Sequence, residues 1–172
     1  MADVLGICGS SRARSKSHAL LAFIKNEFPD LHLSIYPDLA ELPLFHADLE
    51  HEKFDSVVDF KEKVINSQAV IIVTPEYIHN IPATLKNAME WCTNSGEFCE
   101  KKVLSIVYTP VTPRGKYAQK SLEFSLLALK SKTIGSLLLH HTDISFDCDG
   151  DLLVSKEMEL LNETIEYFLS VE

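Results

Sequence analysis

Gly9-Ser10-Ser11-Arg12-Ala13-Arg14-Ser15-Lys16-Ser17 packs four hydroxyls and three cationic groups into nine residues. The chain around it is acidic, with a formal net charge of -9. A short apolar run, Val4 to Cys8, precedes the segment, and an apolar series at helical spacing follows it. A loop that opens a helix presents unpaired backbone N–H groups at the positive end of the helix dipole, which favours an anion. Serine hydroxyls donate to phosphate oxygens, and an arginine adds a bidentate contact. The chemistry this predicts is capture of a doubly charged phosphate by the loop's serine hydroxyls with Arg12 or Arg14, the other reading being a capped helix with a solvated basic loop. Gly-x-Gly-x-x-Gly is absent, and no Gly-Lys-Ser/Thr follows, so neither a dinucleotide fingerprint nor a Walker loop is present.

Three other constellations bear weighing. Five residues separate Cys8 from Arg14, with Ser15 next, which resembles the Cys-x5-Arg-Ser of low-molecular-weight tyrosine phosphatases. There Cys8 would be a thiolate nucleophile. The chain contains no Asp-Pro, the dipeptide that carries the general acid in those enzymes, so a core thiol is the favoured reading. Asp147, Asp149 and Asp151 alternate like a calcium loop, but Gly150 stands at the fourth place and Met158 where the closing glutamate belongs. A solvated turn is expected instead. The end of the first apolar run lacks the paired carboxylates that hold magnesium in receiver domains.

The elements that must position these residues follow from periodicity. Val4–Cys8, Leu33–Tyr36, Ala69–Val73, Val103–Val107 and Ile134–Leu139 are short apolar runs without polar alternation, as in strands buried on both faces. Helical spacing predicts helices after Ser15, over Phe54–Ile65, from Pro82, over Tyr117–Lys130 and over about Ser155–Leu169. Strand and helix alternate five times, which specifies a doubly wound α/β parallel sheet with helices on both faces. Ligands of such sheets sit beyond the carboxyl ends of the strands, at the switch point. The loops after Cys8, Val73 and Val107 are therefore the expected site. The connection from Pro37 to Glu52 is longer than usual, which predicts a surface role.

Length and composition set outer limits. The 172 residues suit one domain over 1–172. The negative net charge argues against nucleic acid and an anionic membrane surface as partners. The four cysteines match no zinc or redox spacing, as in a reducing cytoplasm. Met1-Ala2-Asp3 predicts no secretory signal, and no apolar run approaches a membrane span.

The second loop carries a resemblance. Thr74-Pro75-Glu76-Tyr77-Ile78-His79-Asn80-Ile81-Pro82, running into Leu85-Lys86-Asn87-Ala88-Met89-Glu90-Trp91, closely resembles a signature of the NAD(P)H-dependent FMN reductases. Gly9, Ser10, Arg12 and Ser15 match that family's first loop, and Leu42-Pro43-Leu44-Phe45 is similar to its Ile-Pro-Leu-Tyr. The resemblance implies a flavodoxin-like five-stranded sheet of order 2-1-3-4-5. It implies FMN as cofactor and NADPH or NADH as co-substrate. It implies a quinone, azo compound, metal oxyanion or free flavin as acceptor, and a homodimer or homotetramer. Ser10, Arg12, Ser15 and Ser17 would hold the flavin phosphate. Pro75, Glu76, Tyr77 and Ile78 would lie along the ring, with Thr109 and Gly115 contributing from the third loop. No catalytic side chain is required, because the flavin carries the chemistry. Ile78 stands where the family has Asn, and Tyr108-Thr109-Pro110-Val111-Thr112-Pro113-Arg114-Gly115 replaces a Ser- and Gly-rich loop. A non-catalytic, flavodoxin-like FMN carrier is the reading from another class.

Overall fold

Ala69–Thr74 is apolar at five of its six positions and buried at all of them, and it forms the centre of the molecule. The structure is a computed structural model that describes residues 3–147 and 151–171. Five strands make one sheet: β1 (Val4–Cys8), β2 (Ser34–Ile35), β3 (Ala69–Thr74), β4 (Lys102–Thr109) and β5 (Lys132–His140). Their order is β2-β1-β3-β4-β5, with every pairing parallel. The helices are α1 (Lys16–Glu27), α2 (Asp55–Asn66), α3 (Ala83–Glu90), α4 (Lys116–Ala128) and α5 (Met158–Ser170).

The side-chain period of two divides the sheet into two cores. Val70 and Ile72 face α2, α3 and α4, packing with Phe60, Leu85 and Leu122. Ile71 and Val73 face α1 and α5, packing with Leu20, Ile24 and Ile165. Each fully buried aliphatic side chain of this kind contributes about 1.5–3 kcal/mol. Doubly wound strands therefore read as continuous apolar runs, and the reversal of strand order falls between β1 and β3.

Gly9 closes β1 onto β3. Its N–H donates to Val73 O at 2.8 Å, and a Cβ there would stand 2.3 Å from Thr74 Oγ1. Only glycine lets the first loop leave the sheet at this point.

Three features differ from the sequence expectation. β2 is two residues long, flanked by Leu33 and Tyr36, which are buried in opposite cores, with Tyr36 N still donating to Gly6 O at 2.8 Å. The segment expected to be a turn after β5 is flanked by two strands the sequence did not announce, β6 (Ile144–Phe146) and β7 (Leu152–Ser155), paired antiparallel outside the main sheet. Its tip, including Cys148, Asp149 and Gly150 of the calcium-like pattern, lies outside the described residues. The long connection is strapped to α3: Asn87 accepts from Phe45 N at 2.7 Å, and Asn87 Nδ2 and Trp91 Nε1 donate to Pro43 O at 3.0 and 2.8 Å. Trp91 is thus a buried core anchor.

Candidate functional site

The first loop is shaped by its serines. Ser15 caps α1, its Oγ accepting from His18 N at 3.1 Å, and Ser17 is buried in the first turn. Ser10 Oγ accepts from Arg12 N at 3.3 Å and lies 3.5 Å from Tyr77 Oη, which joins the first loop to the second. The ammonium of Lys16 donates to Phe146 O and so ties the same helix start to β6.

The second loop is a tight two-residue turn. Tyr77 and Asn80 exchange backbone hydrogen bonds of 2.9 and 3.0 Å, while Ile78 and His79 hold φ of 50° and 56°. Both central residues are therefore left-handed, as a type I′ turn requires. Asn80 Oδ1 braces the turn by accepting from Ile81 N and Ser121 Oγ. Glu76 points away from solvent and accepts from Tyr117 N and Ala118 N at 3.2 and 3.1 Å, at the start of α4. Burial opposes its charge, but the N–H groups of Ala118, Gly115 and Tyr117, with His79 nearby, outweigh it. The carboxyl is held below the ordinary range as a result.

The third loop is pinned by its backbone. Arg114 N donates to Val111 O at 3.1 Å. Arg114 O accepts from Thr109 Oγ1 at 3.3 Å and stands 3.1 Å from His140 Nε2. Gly115 follows with φ of 105°, where a Cβ would meet Leu138 at 2.2 Å.

These loops enclose a cleft of about 260 Å³ at the carboxyl ends of β1, β3 and β4. Seven of the residues named from sequence line it: Ser10, Arg12, Ser15, Ser17, Pro75, Glu76 and Tyr77. Ile78 is not among the lining residues; it projects into solvent, 98% exposed. Thr109 and Gly115 lie buried beneath the third loop, where they hold its shape. Sequence reasoning missed five lining residues: Lys16, Tyr108, Pro110, Arg114 and His141. Lys16 and Arg114 were visible as charges within two of the expected loops. His141 gave no signal, since its place depends on where β5 ends.

Tyr108 and His141 form the floor, with ring centroids 4.4 Å apart. Tyr108 donates to Ile144 O at 2.7 Å, and burial pushes its hydroxyl pKa up. His141 is lowered to about 4 by burial, then by Lys16 and His140, so it is neutral at pH 7. Its Nε2 is buried with no partner among the described residues. The phosphatase alternative fails here. Burial raises the Cys8 thiol, the opposite of an activated thiolate, and Arg14 stays outside the cleft.

Hollows of about 420 Å³ and about 300 Å³ are larger, but the first runs along the outer face of α4, meeting the second loop only at His79, and the second lies between α1 and α5, whereas a doubly wound sheet binds ligands in the crevice at the strand ends.

The model of a family described as NADPH-dependent FMN reductase matches residues 2–143. The chain belongs to that family. Among relatives of this FMN reductase-family chain is the NADH-dependent flavin reductase subunit 2 of Lactobacillus johnsonii, 35% identical over 177 residues that cover 96% of this chain and 95% of that one. An NADPH:quinone oxidoreductase of Arabidopsis thaliana is 27% identical over 172 residues, covering 94% and 87%. The fold matches that of FerB, a flavoenzyme NAD(P)H:(acceptor) oxidoreductase from Paracoccus denitrificans, with a TM-score of 0.79 at 23% identity, covering 98% and 96%.

Proposed function

We propose that this protein is an FMN-dependent NAD(P)H oxidoreductase that reduces a small aromatic acceptor of the quinone class. The observation that carries the reading is the donor set of the cleft. Three serines and Arg12 converge at the start of α1, beside the aromatic face of Tyr77 and the rigid faces of Pro75 and Pro110. That chemistry fits FMN: a dianionic phosphate at the helix terminus and a flat ring across the second loop. The Nε2 of His141 is a further polar group that the described residues leave unsatisfied.

When bound, FMN supplies hydride acceptance from a nicotinamide and electron donation to a second substrate. The chain's own residues bind and orient. Ser10, Ser15 and Ser17 would donate hydrogen bonds to the phosphate, and the Arg12 guanidinium would neutralise its charge in part. Tyr77, fixed through its hydroxyl to Ser10, presents a flat apolar face, and Glu76 anchors its loop to α4. No lining residue is assigned an acid or base role. The reading extends to one domain over 1–172, a cytoplasmic location and a homodimer or homotetramer. The oligomer is supported by the exposed apolar side chains of Phe124 and Leu127 on α4.

Flavin fluorescence titration with FMN and riboflavin, followed by NADH and NADPH oxidation with menadione, tests the proposal. The expected result is quenching on FMN binding and turnover with either nicotinamide. Arg12→Ala should weaken FMN at least tenfold while leaving riboflavin within about twofold, because only FMN carries the phosphate. Equal weakening of both ligands defeats the phosphate assignment. FMN binding without nicotinamide oxidation favours the carrier reading, and absence of FMN binding removes both.

A further inference from the structure

The cleft is positive inside an acidic protein. Arg12, Lys16 and Arg114 line it, against a single lining carboxylate, Glu76. Glu76 is spent on the start of α4, its side chain only 5% exposed. Arg12 sits in the loop assigned to a phosphate, and the Lys16 ammonium is taken up by Phe146 O. Arg114 is what remains. Its side chain is exposed, and no ion pair claims it among the described residues. Its backbone is held by Val111, Thr109 and His140, so the arginine is presented from a fixed point.

Position and surroundings narrow what it meets. β3 separates β1 from β4, so the third loop lies two strand spacings, roughly 10 Å, from the first. One compact phosphate cannot occupy both ends. Pro110 and the half-exposed ring of Tyr77 line the cleft with Arg114, and Val111, next to Pro110 in the same loop, is a further exposed apolar side chain. Apolar surfaces beside one unpaired guanidinium match a flat ring that carries an anion. Guanidinium and a carboxylate or sulfonate pair through two parallel hydrogen bonds, which a lysine would not reproduce.

We infer that Arg114 is a specificity-determining residue that directs this enzyme toward aromatic acceptors bearing a carboxylate or sulfonate. The inference rests on the reductase reading and adds the substrate's charge to it.

The test uses the FMN-loaded protein, NADH or NADPH, and a matched pair of acceptors: 1,4-naphthoquinone and its 2-sulfonate. Differences in potential between the two cancel when variant is compared with wild type. The kcat/KM ratio of sulfonate over neutral quinone should fall about tenfold in Arg114→Gln and recover only partly in Arg114→Lys. A binding readout needs no turnover. The dissociation constant of redox-inert naphthalene-2-sulfonate, followed by flavin absorbance, should rise by a similar factor in Arg114→Gln, whereas that of 2-methylnaphthalene should not. An unchanged acceptor ratio with unchanged sulfonate binding overturns the inference. So does a shift confined to the NADPH/NADH ratio, because Arg114 would then serve the nicotinamide's extra phosphate. A wild-type protein that binds FMN yet reduces neither quinone defeats the reductase reading, while the sulfonate titration still decides whether Arg114 binds the anion.

Discussion

At the scale of single residues, the second loop departs from what its backbone asks for. Type I′ turns need two left-handed residues, and Asn-Gly is the pair that adopts them most readily. Here Ile78 and His79 do so, and Ile78 is β-branched. A branched side chain in that region crowds the following carbonyl, at a cost of roughly 1–2 kcal/mol. Packing does not offset it, since Ile78 is 98% exposed. The strain is borne by the turn's surroundings: two backbone bonds between Tyr77 and Asn80, and the contacts of Asn80 to Ile81 and Ser121. Ile78→Asn should therefore raise stability by about 1 kcal/mol, seen as a higher urea midpoint at unchanged slope. A midpoint that stays put or falls would mean that Ile78 is held by contacts beyond one chain. The residue was conspicuous in the sequence only as a mismatch to the family pattern; its φ needed the fold.

At the scale of elements, legibility followed burial. β3 and β4 declared themselves because doubly covered strands are apolar throughout, and the strand order came with the family resemblance. The first and second loops were legible because their donors are consecutive in the chain. The hairpin of β6 and β7 was not. Its acidic tip reads as a turn, and its two short strands offer too few residues for a period to show. Two of the missed lining residues share one cause: Tyr108 and His141, at and just beyond the ends of β4 and β5, are brought together by the parallel pairing of those strands, information that no local window holds. The tie from Glu76 to α4 is of the same kind and yields a prediction. Its lowered carboxyl pKa adds stability above the unfolded pKa, and the contribution is lost as pH falls through the lower folded value. Glu76→Gln keeps an oxygen to accept from Tyr117 and Ala118 but removes the charge favoured at a helix start. The variant should be about 1 kcal/mol less stable at pH 7. Denaturant titrations across pH should show that gap closing on the acid side of the ordinary carboxylate range. A gap that is constant with pH would show that the charge is immaterial.

At the scale of the whole molecule, the cleft and the outer face of α4 are mechanically one region. Glu76 joins the second loop to the first turn of α4, and the His79 ring meets Tyr117 at 4.8 Å. Further along that helix Tyr117, Phe124 and Leu127 stand 62%, 61% and 72% exposed. Apolar groups this open and this close together on one helix have a hydrophobic cost that a second copy of the chain would relieve. Sedimentation of the protein should give twice the 19.3 kDa chain mass or a multiple of it. Phe124→Glu with Leu127→Glu should give a single chain that keeps its far-ultraviolet dichroism. Because a second copy on α4 would buttress the helix whose first turn holds Glu76, the same double variant should bind FMN several-fold more weakly, without losing its preference over riboflavin. A wild-type protein that sediments as one chain at micromolar concentration would leave the apolar face of α4 with some other purpose. The cleft would then be complete within a single copy.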